Sequence, residues 1–260
     1  VLFLCLLVVA AGVVRSCSRA TRAIIGSSYT IARDPTWYPI NMVGKEKAIL
    51  AFSNDLLTEI AKKEGLKFQL IAATSYTLFE DLKDGRFDAV LTSLMPTPVN
   101  RTRYLFSEPF FKIGSVLILP KREEFVSLDQ MKGKVVGVRR GSSIVFDVNQ
   151  YQIVFSPYDN MSRAFDDLEN KRIDGILLPA FEAYLHTRIF YPEIGRVVTA
   201  PLSPEALRLV SKKGMAQERL VKKFNSALIQ LKEEGTYDEL LKKWGLLNPE
   251  KPHDNKSETP

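Results

Sequence analysis

From residue 29 onward the chain spells one local order twice, a strand leading through a helix to another strand, and this repetition most constrains the fold. Apolar residues at Leu56, Leu57 and Ile60 stripe one face of a helix predicted over 51–64. Strand patterns at 29–33 and 67–72 flank it, and a helix at 76–84 and a buried strand at 87–94 complete the first run. Parallel strands can be joined only through a crossover, so this order implies a parallel sheet with helices on its faces. The second half repeats the scheme, with strands at 116–120 and 134–138, a helix at 142–150, a strand at 152–155, a helix at 160–170, a strand at 174–178 and a helix at 181–189. No Pro- or Gly-rich linker separates the halves, which predicts two α/β lobes joined by ordered strand.

The 260 residues, 45% hydrophobic and 25% charged, suffice for one large domain or two moderate ones and exclude disorder for most of the chain. A formal charge of +6 would permit an anionic partner. The basic residues, however, are interleaved with acids, as in KREE at 121–124 and NKRID at 170–174, so no tract is suited to a nucleic acid backbone.

Residues 1–14 are almost wholly apolar, too few to span a bilayer comfortably, and run into Arg15-Ser16-Cys17-Ser18. Residues 1–17 therefore read as a signal peptide with a lipobox, Cys17 being the lipid attachment site that would tether the protein to a membrane. Arg15 stands where a lipobox has a small or apolar residue, which leaves plain secretion and a retained anchor open. Cys5 and Cys17 are the only cysteines and both lie in this leader, so the folded body is expected to have no disulfide. Residues 248–260 form a polar tail, expected to fray over 254–260.

Near the C-terminus, Phe224, Ala227, Leu228 and Leu231, then Tyr237, Leu240, Leu241 and Trp244, recur at helical spacing around Gly235. Gly235 ends the first helix, and Thr236 with Glu239 predicts a capping box on the second. The stretch reads N-x-A-L-x-x-L-x-x-x-G-T-Y-x-x-x-x-x-K-W-G. This ending resembles that of bacterial family 3 solute-binding proteins, the polar amino acid receptors of ABC importers. Further blocks follow in family order: TWYPI at 36–40, AFSNDLL at 51–57, LKDGRFDAVL at 82–91, LFSEPFF at 105–111, LDQMKGKVVGVRRGSS at 128–143 and LENKRIDGILL at 168–178.

The resemblance implies a two-lobed periplasmic binding protein type II fold, each lobe a mostly parallel sheet with flanking helices, and two crossing strands as hinge. The crossings would fall near 112–117 and 205–210, with 22–111 plus 209–247 as lobe 1 and 116–204 as lobe 2. It further implies a monomeric periplasmic receptor that closes on a small polar ligand, an amino acid such as arginine or glutamine or a related carboxylate, and delivers it to an ABC permease in the inner membrane. No cofactor is implied.

Ligands of open α/β sheets bind beyond the carboxyl ends of strands, so the loops there carry the candidates. On the family pattern Asp34 meets the ligand's side chain, Trp37 covers it, and Phe52 forms a second aromatic wall. Ser93 offers a hydroxyl and Arg101 a planar fork for the carboxylate. The spacing is one residue late, with Asn100 in the arginine's slot, so Arg103 remains an alternative; Met95 stands where a threonine is frequent. In the second lobe Arg139-Arg140-Gly141-Ser142-Ser143 runs from a strand into a helix N-terminus whose free amides suit a carboxylate. There Ser142 and Ser143 are candidate contacts, Arg139 points to the cleft and Arg140 to water.

Where amino acid receptors place an aspartate for the α-ammonium, this chain has Pro179; either Glu182 replaces it or the ligand is a peptide, a carboxylate or another small anion. A dehydratase acting on a prephenate- or arogenate-like substrate is a rival on the same scaffold, needing Glu108 or Glu182 beside Arg101. A ligand-sensing domain is a third reading. His186 on a helix and His253 in the tail build neither a metal site nor a Ser-His pair, so no catalytic residue and no metal are expected.

Overall fold

A computed structural model describes residues 27–34, 37, 44–74, 76–246 and 248. The expected signal peptide with Cys17, and the polar tail apart from Asn248, lie outside the described residues.

Strand β1 (Ser28–Arg33) pairs in parallel with β2 (Lys67–Ala72) on one side and β3 (Ala89–Thr92) on the other. Helix α1 (Glu46–Glu64) makes the first crossover and α2 (Leu78–Asp84) the second. Helix α1 starts five residues before the predicted 51, because Ile49 extends its buried stripe of Phe52, Ser53, Leu56, Leu57 and Ile60. It stops at Gly65, whose φ of 60° is the left-handed turn that glycine adopts without a Cβ penalty.

A short helix α3 (Pro98–Arg103) and strands β4 (Tyr104–Phe106) and β5 (Phe111–Lys112) lead to the second sheet. That sheet holds β6 (Ser115–Pro120), β7 (Val135–Arg139), β8 (Val154–Tyr158), β9 (Gly175–Pro179) and β10 (Gly195–Val197), in the spatial order β10-β6-β9-β7-β8. Between its strands run α4 (Ile144–Asp147), α5 (Met161–Glu169) and α6 (Ala180–Leu185). The helix predicted over 142–150 survives only as the four residues of α4 and a tight turn at Asn149–Tyr151. Polar Ser142, Ser143 and Asn149 compete for backbone groups there, and Gln152 takes a φ of 53°. The helix predicted over 181–189 begins as α6 and widens into a five-residue π turn at His186–Phe190.

Strand β11 (Ala206–Lys212) then returns antiparallel between β3 and β4, giving the order β2-β1-β3-β11-β4 in the first sheet. Helices α7 (Met215–Glu233) and α8 (Thr236–Lys243) close over it, burying Phe224, Ala227, Leu228, Leu231, Tyr237 and Leu241 as the spacing predicts. The expected capping box does not form: Gly235, at φ 84°, occupies the cap position, and no side chain caps α8. What fixes this hairpin instead is tertiary. The Tyr237 hydroxyl donates to the carbonyl of Phe110 at 2.8 Å, and Trp244 Nε1 donates to Asp55 on α1 at 2.8 Å.

The passages between the sheets are bonded to each other. Ile113 and Gly114 donate to the carbonyl of Glu205 at 3.0 and 3.2 Å, and Ser115 donates to Ser203 Oγ at 3.1 Å. Lys112 pairs with Ala206, so the two crossings run as one ribbon. Register then fixes which edges face it. Thr92, the last residue of β3, lies opposite Arg208, two residues along from that crossing pair. Pro179, the last residue of β9, lies opposite Ser115. The carboxyl ends of the central strands of both sheets therefore meet at the ribbon.

Candidate functional site

In the first lobe Asp34 follows β1 directly and is 3% exposed, its N–H donating to the carbonyl of Leu91 on β3. Trp37 takes a φ of 52°, and its N–H donates back to Asp34 O at 3.4 Å, closing a tight turn. Ser93, equally buried, donates from Oγ to the carbonyl of Trp37 at 3.3 Å and ties the two strand-end loops together. Asp34 and Ser93 are thus brought together at the carboxyl ends of β1 and β3.

The two expected aromatic walls are enclosed in the core instead. Trp37 is fully buried in the core cluster that contains Ile49, Phe52 and Phe110, and its Nε1 finds no acceptor among the described residues. Phe52 is equally enclosed, edge-on to Phe111 at 5.9 Å and to Tyr237 at 5.6 Å. Phe52 is a packing residue of α1: the stripe through Ile49 and Leu56 turns it to the sheet, not to the strand ends. An aromatic that is open at that edge is Tyr76, 98% exposed in the turn after β2, where the pattern predicts the start of a helix. Its signal was available, an aromatic beyond the carboxyl end of a strand.

The loop after β3 explains the late arginine. Thr97 caps α3, accepting from Asn100 N–H, with Pro98 pre-set for the first turn. Asn100, in the expected arginine slot, is turned back to donate from Nδ2 to Met95 O at 2.8 Å. Arg101 is exposed; its Nε donates to Pro96 O at 2.9 Å and its guanidinium lies 5.8 Å from the Phe106 ring centre. Arg103 is exposed as well.

Across the ribbon, Arg139 ends β7 and Glu182 lies in the first turn of α6, and the two form a close ion pair. The sequence reading treated them as separate ligand contacts; the structure couples them. Burial pushes the Glu182 carboxyl up, but the neighbouring His186 imidazole and the charge of Arg139 outweigh it and leave the group below the usual carboxylate range. His186 Nε2 stands 3.8 Å from the same carboxylate, stacked on Phe165. Arg140 instead grips exposed Asp159 through two bonds at 2.7 and 3.2 Å, on the solvent side as expected. Ser142 donates its N–H to Arg139 O at 3.0 Å, and Ser143 precedes α4 without capping it. A helix of four residues offers little dipole, so what Ser142 and Ser143 present is local N–H and hydroxyl groups rather than a long helix end.

An apolar concavity between the lobes is lined by Phe111, Phe181, Tyr184 and Leu246, with Phe111 and Phe181 stacked at 5.2 Å. Lys45 and Arg188 also line it, and it holds none of the candidate ligand contacts. Among the described residues no group of three His, Cys, Asp or Glu could hold a metal, and no helix is long and apolar enough to cross a membrane.

Two α/β sheets, joined by a paired ribbon and presenting their carboxyl edges to it, define a two-lobed fold of the type II periplasmic binding class. The chain belongs to the bacterial extracellular solute-binding proteins, family 3, whose profile matches residues 29–247. It is 27% identical over 240 residues to the lysine/arginine/ornithine-binding periplasmic protein of Escherichia coli (strain K12), covering 88% of this chain and 92% of that one. It is 27% identical over 202 residues to the ABC transporter glutamine-binding protein GlnH of Bacillus subtilis (strain 168), covering 75% and 72%. Among solved structures, the unliganded, open L-cystine solute receptor of Neisseria gonorrhoeae superposes with a TM-score of 0.63 at 21% identity, over 86% of this chain and 95% of the other.

Proposed function

We propose that this receptor serves an ABC importer, taking a free amino acid between its lobes by hinge closure and presenting it to a permease in the inner membrane. The lobes are assigned as 22–111 with 209–247, and 116–204. Acylation at Cys17 would hold the protein at a membrane on the periplasmic side. The observation that carries the reading is the placement of Asp34 and Ser93 at the carboxyl ends of β1 and β3, with Arg139, Glu182 and Ser142–Ser143 at the facing ends of the second sheet. Asp34 supplies negative charge for a cationic or amide side chain, and relatives named for arginine and for glutamine favour those two ligands. Glu182 stands three residues beyond Pro179 and, by exchanging Arg139 for the ligand, supplies the counter-charge for an α-ammonium.

Isothermal titration against the twenty L-amino acids, short peptides and prephenate tests this. Saturable heat with L-arginine or L-glutamine is expected. Heat with none of the amino acids would remove the amino acid reading, and turnover of prephenate would make the protein an enzyme.

A further inference from the structure

One residue at the meeting of the lobes has no assigned role. Arg208 lies on β11 directly opposite Thr92, so both side chains leave the same face of the sheet at the carboxyl end of β3. Sequence periodicity hid it, since it is the single charge in the apolar run Ala206-Leu207-Arg208-Leu209-Val210. It is 8% exposed. A guanidinium carries five N–H donors, yet the hydrogen bonds Arg208 makes go to two neutral acceptors at long range, Ala206 O at 3.4 Å and Pro204 O at 3.2 Å. Among the described residues no carboxylate lies within ion-pair distance of it.

Both acceptors belong to the crossing ribbon, so the guanidinium is held where the lobes meet. Burial pulls its pKa below the ordinary arginine value, with the charge of Glu108 opposing this and that of Arg101 adding to it. A buried cation without a counter-ion is costly, and an arginine placed for folding alone would be matched by a carboxylate. Arg101, by contrast, is solvated and occupied by Pro96 and Phe106, and Asn100 is turned away to Met95.

We propose that Arg208 supplies the cation of the anion subsite, pairing with the ligand's carboxylate beside the Thr92 hydroxyl. It replaces the arginine that the loop after β3 lacks at position 100. The inference rests on the receptor reading, and it moves specificity for the carboxylate from an exposed side chain on α3 to a buried one on the sheet.

The test uses the full chain as wild type, Arg208→Gln, Arg208→Met and Arg101→Gln. Each is titrated calorimetrically with the twenty L-amino acids and with the methyl ester of any that binds. Expected is a loss of about 30-fold or more in affinity for Arg208→Gln, with the wild type's preference for acid over ester falling below about 3-fold. Arg101→Gln is expected to keep affinity within about 3-fold and to keep that preference. Retention of the preference in Arg208→Gln overturns the inference and leaves the receptor reading standing.

If the wild type binds no amino acid, the receptor reading for amino acids fails, and sodium acetate becomes the probe against sodium chloride at equal ionic strength. Thermal stabilisation by acetate in the wild type and its absence in Arg208→Gln sustain the anion subsite; equal responses overturn it. Ligand-free Arg208→Met is expected to melt at a higher temperature than wild type, because an unmatched buried charge is gone. A lower melting temperature would make Arg208 a structural residue and overturn the proposal.

Discussion

Replacing Gly114 by alanine presses on the ribbon that joins the lobes. A Cβ at this position would lie 2.5 Å from both the carbonyl oxygen and the hydroxyl of Ser203, and 3.1 Å from its carbonyl carbon. Ordinary contact needs about 3.5 Å, so the crossings must separate by roughly 1 Å. The bonds at risk are Ser115 N–H to Ser203 Oγ at 3.1 Å, and Ile113 and Gly114 N–H to Glu205 O at 3.0 and 3.2 Å. Losing two of these at about 1 kcal/mol each, with a further ~1–2 kcal/mol of residual strain, gives a destabilisation of about 3–4 kcal/mol. For a chain of this size that lowers Tm by roughly 6–16 °C. Differential scanning calorimetry reads the shift directly. Adding Ser203→Ala removes the hydroxyl contact and leaves the carbonyl one, so the double variant should recover part of the loss and remain below wild type. Gly114 does not occupy the left-handed region, and alanine would otherwise stabilise by about 0.4–1 kcal/mol through the unfolded chain. A Tm at or above wild type would therefore show that the crossings are not pressed together as described.

Phe52→Leu should lower stability by about 1–2 kcal/mol in urea unfolding while leaving ligand affinity within about 3-fold, since Phe52 packs on Phe111 and Tyr237; a large affinity loss at unchanged stability would return it to the binding wall. Tyr237→Phe removes the buried bond to Phe110 O and should cost about 0.5–1.5 kcal/mol, read as a shift of the urea midpoint at constant slope. Asp55 accepts from Lys243 and Trp244, and the Lys243 bond leads the influences that hold its pKa below 3.8. Its contribution is therefore fully present above pH 3.8 and is lost as pH falls through the lower folded value, so the cost of Asp55→Asn measured at pH 7 should shrink below pH 3.8. A cost that grew on acidification would contradict this sign.

Local periodicity made much of the first lobe legible. Strand β2 matches its predicted bounds of 67–72, and the apolar stripe of α7 and α8 is buried where spacing puts it except at Leu240 and Trp244, which are half-buried, because both patterns are set by which face meets the core. Strand β11 was foreseen only as a crossing, since its position between β3 and β4 is decided by partners far away in sequence. Direction was the weakest part of the site. Phe52 and Trp37 are expected as walls of a ligand site and are enclosed in the core, because which way an aromatic faces depends on a helix stripe in one case and a positive φ in the other. The pairing of Arg139 with Glu182 and the isolation of Arg208 are likewise products of three-dimensional neighbourhood. The one-residue displacement of Arg101 is readable in the sequence, whereas the capped turn from Thr97 to Asn100 around it is not.

Small-angle X-ray scattering of the full chain, with and without a saturating concentration of L-arginine or L-glutamine confirmed to bind by calorimetry, tests the central claim most directly. Closure about the ribbon at residues 112–115 and 203–206 brings the carboxyl edges of the two sheets together, so the radius of gyration should fall on binding. An unchanged radius of gyration at saturation would place the ligand outside the cleft and contradict the account.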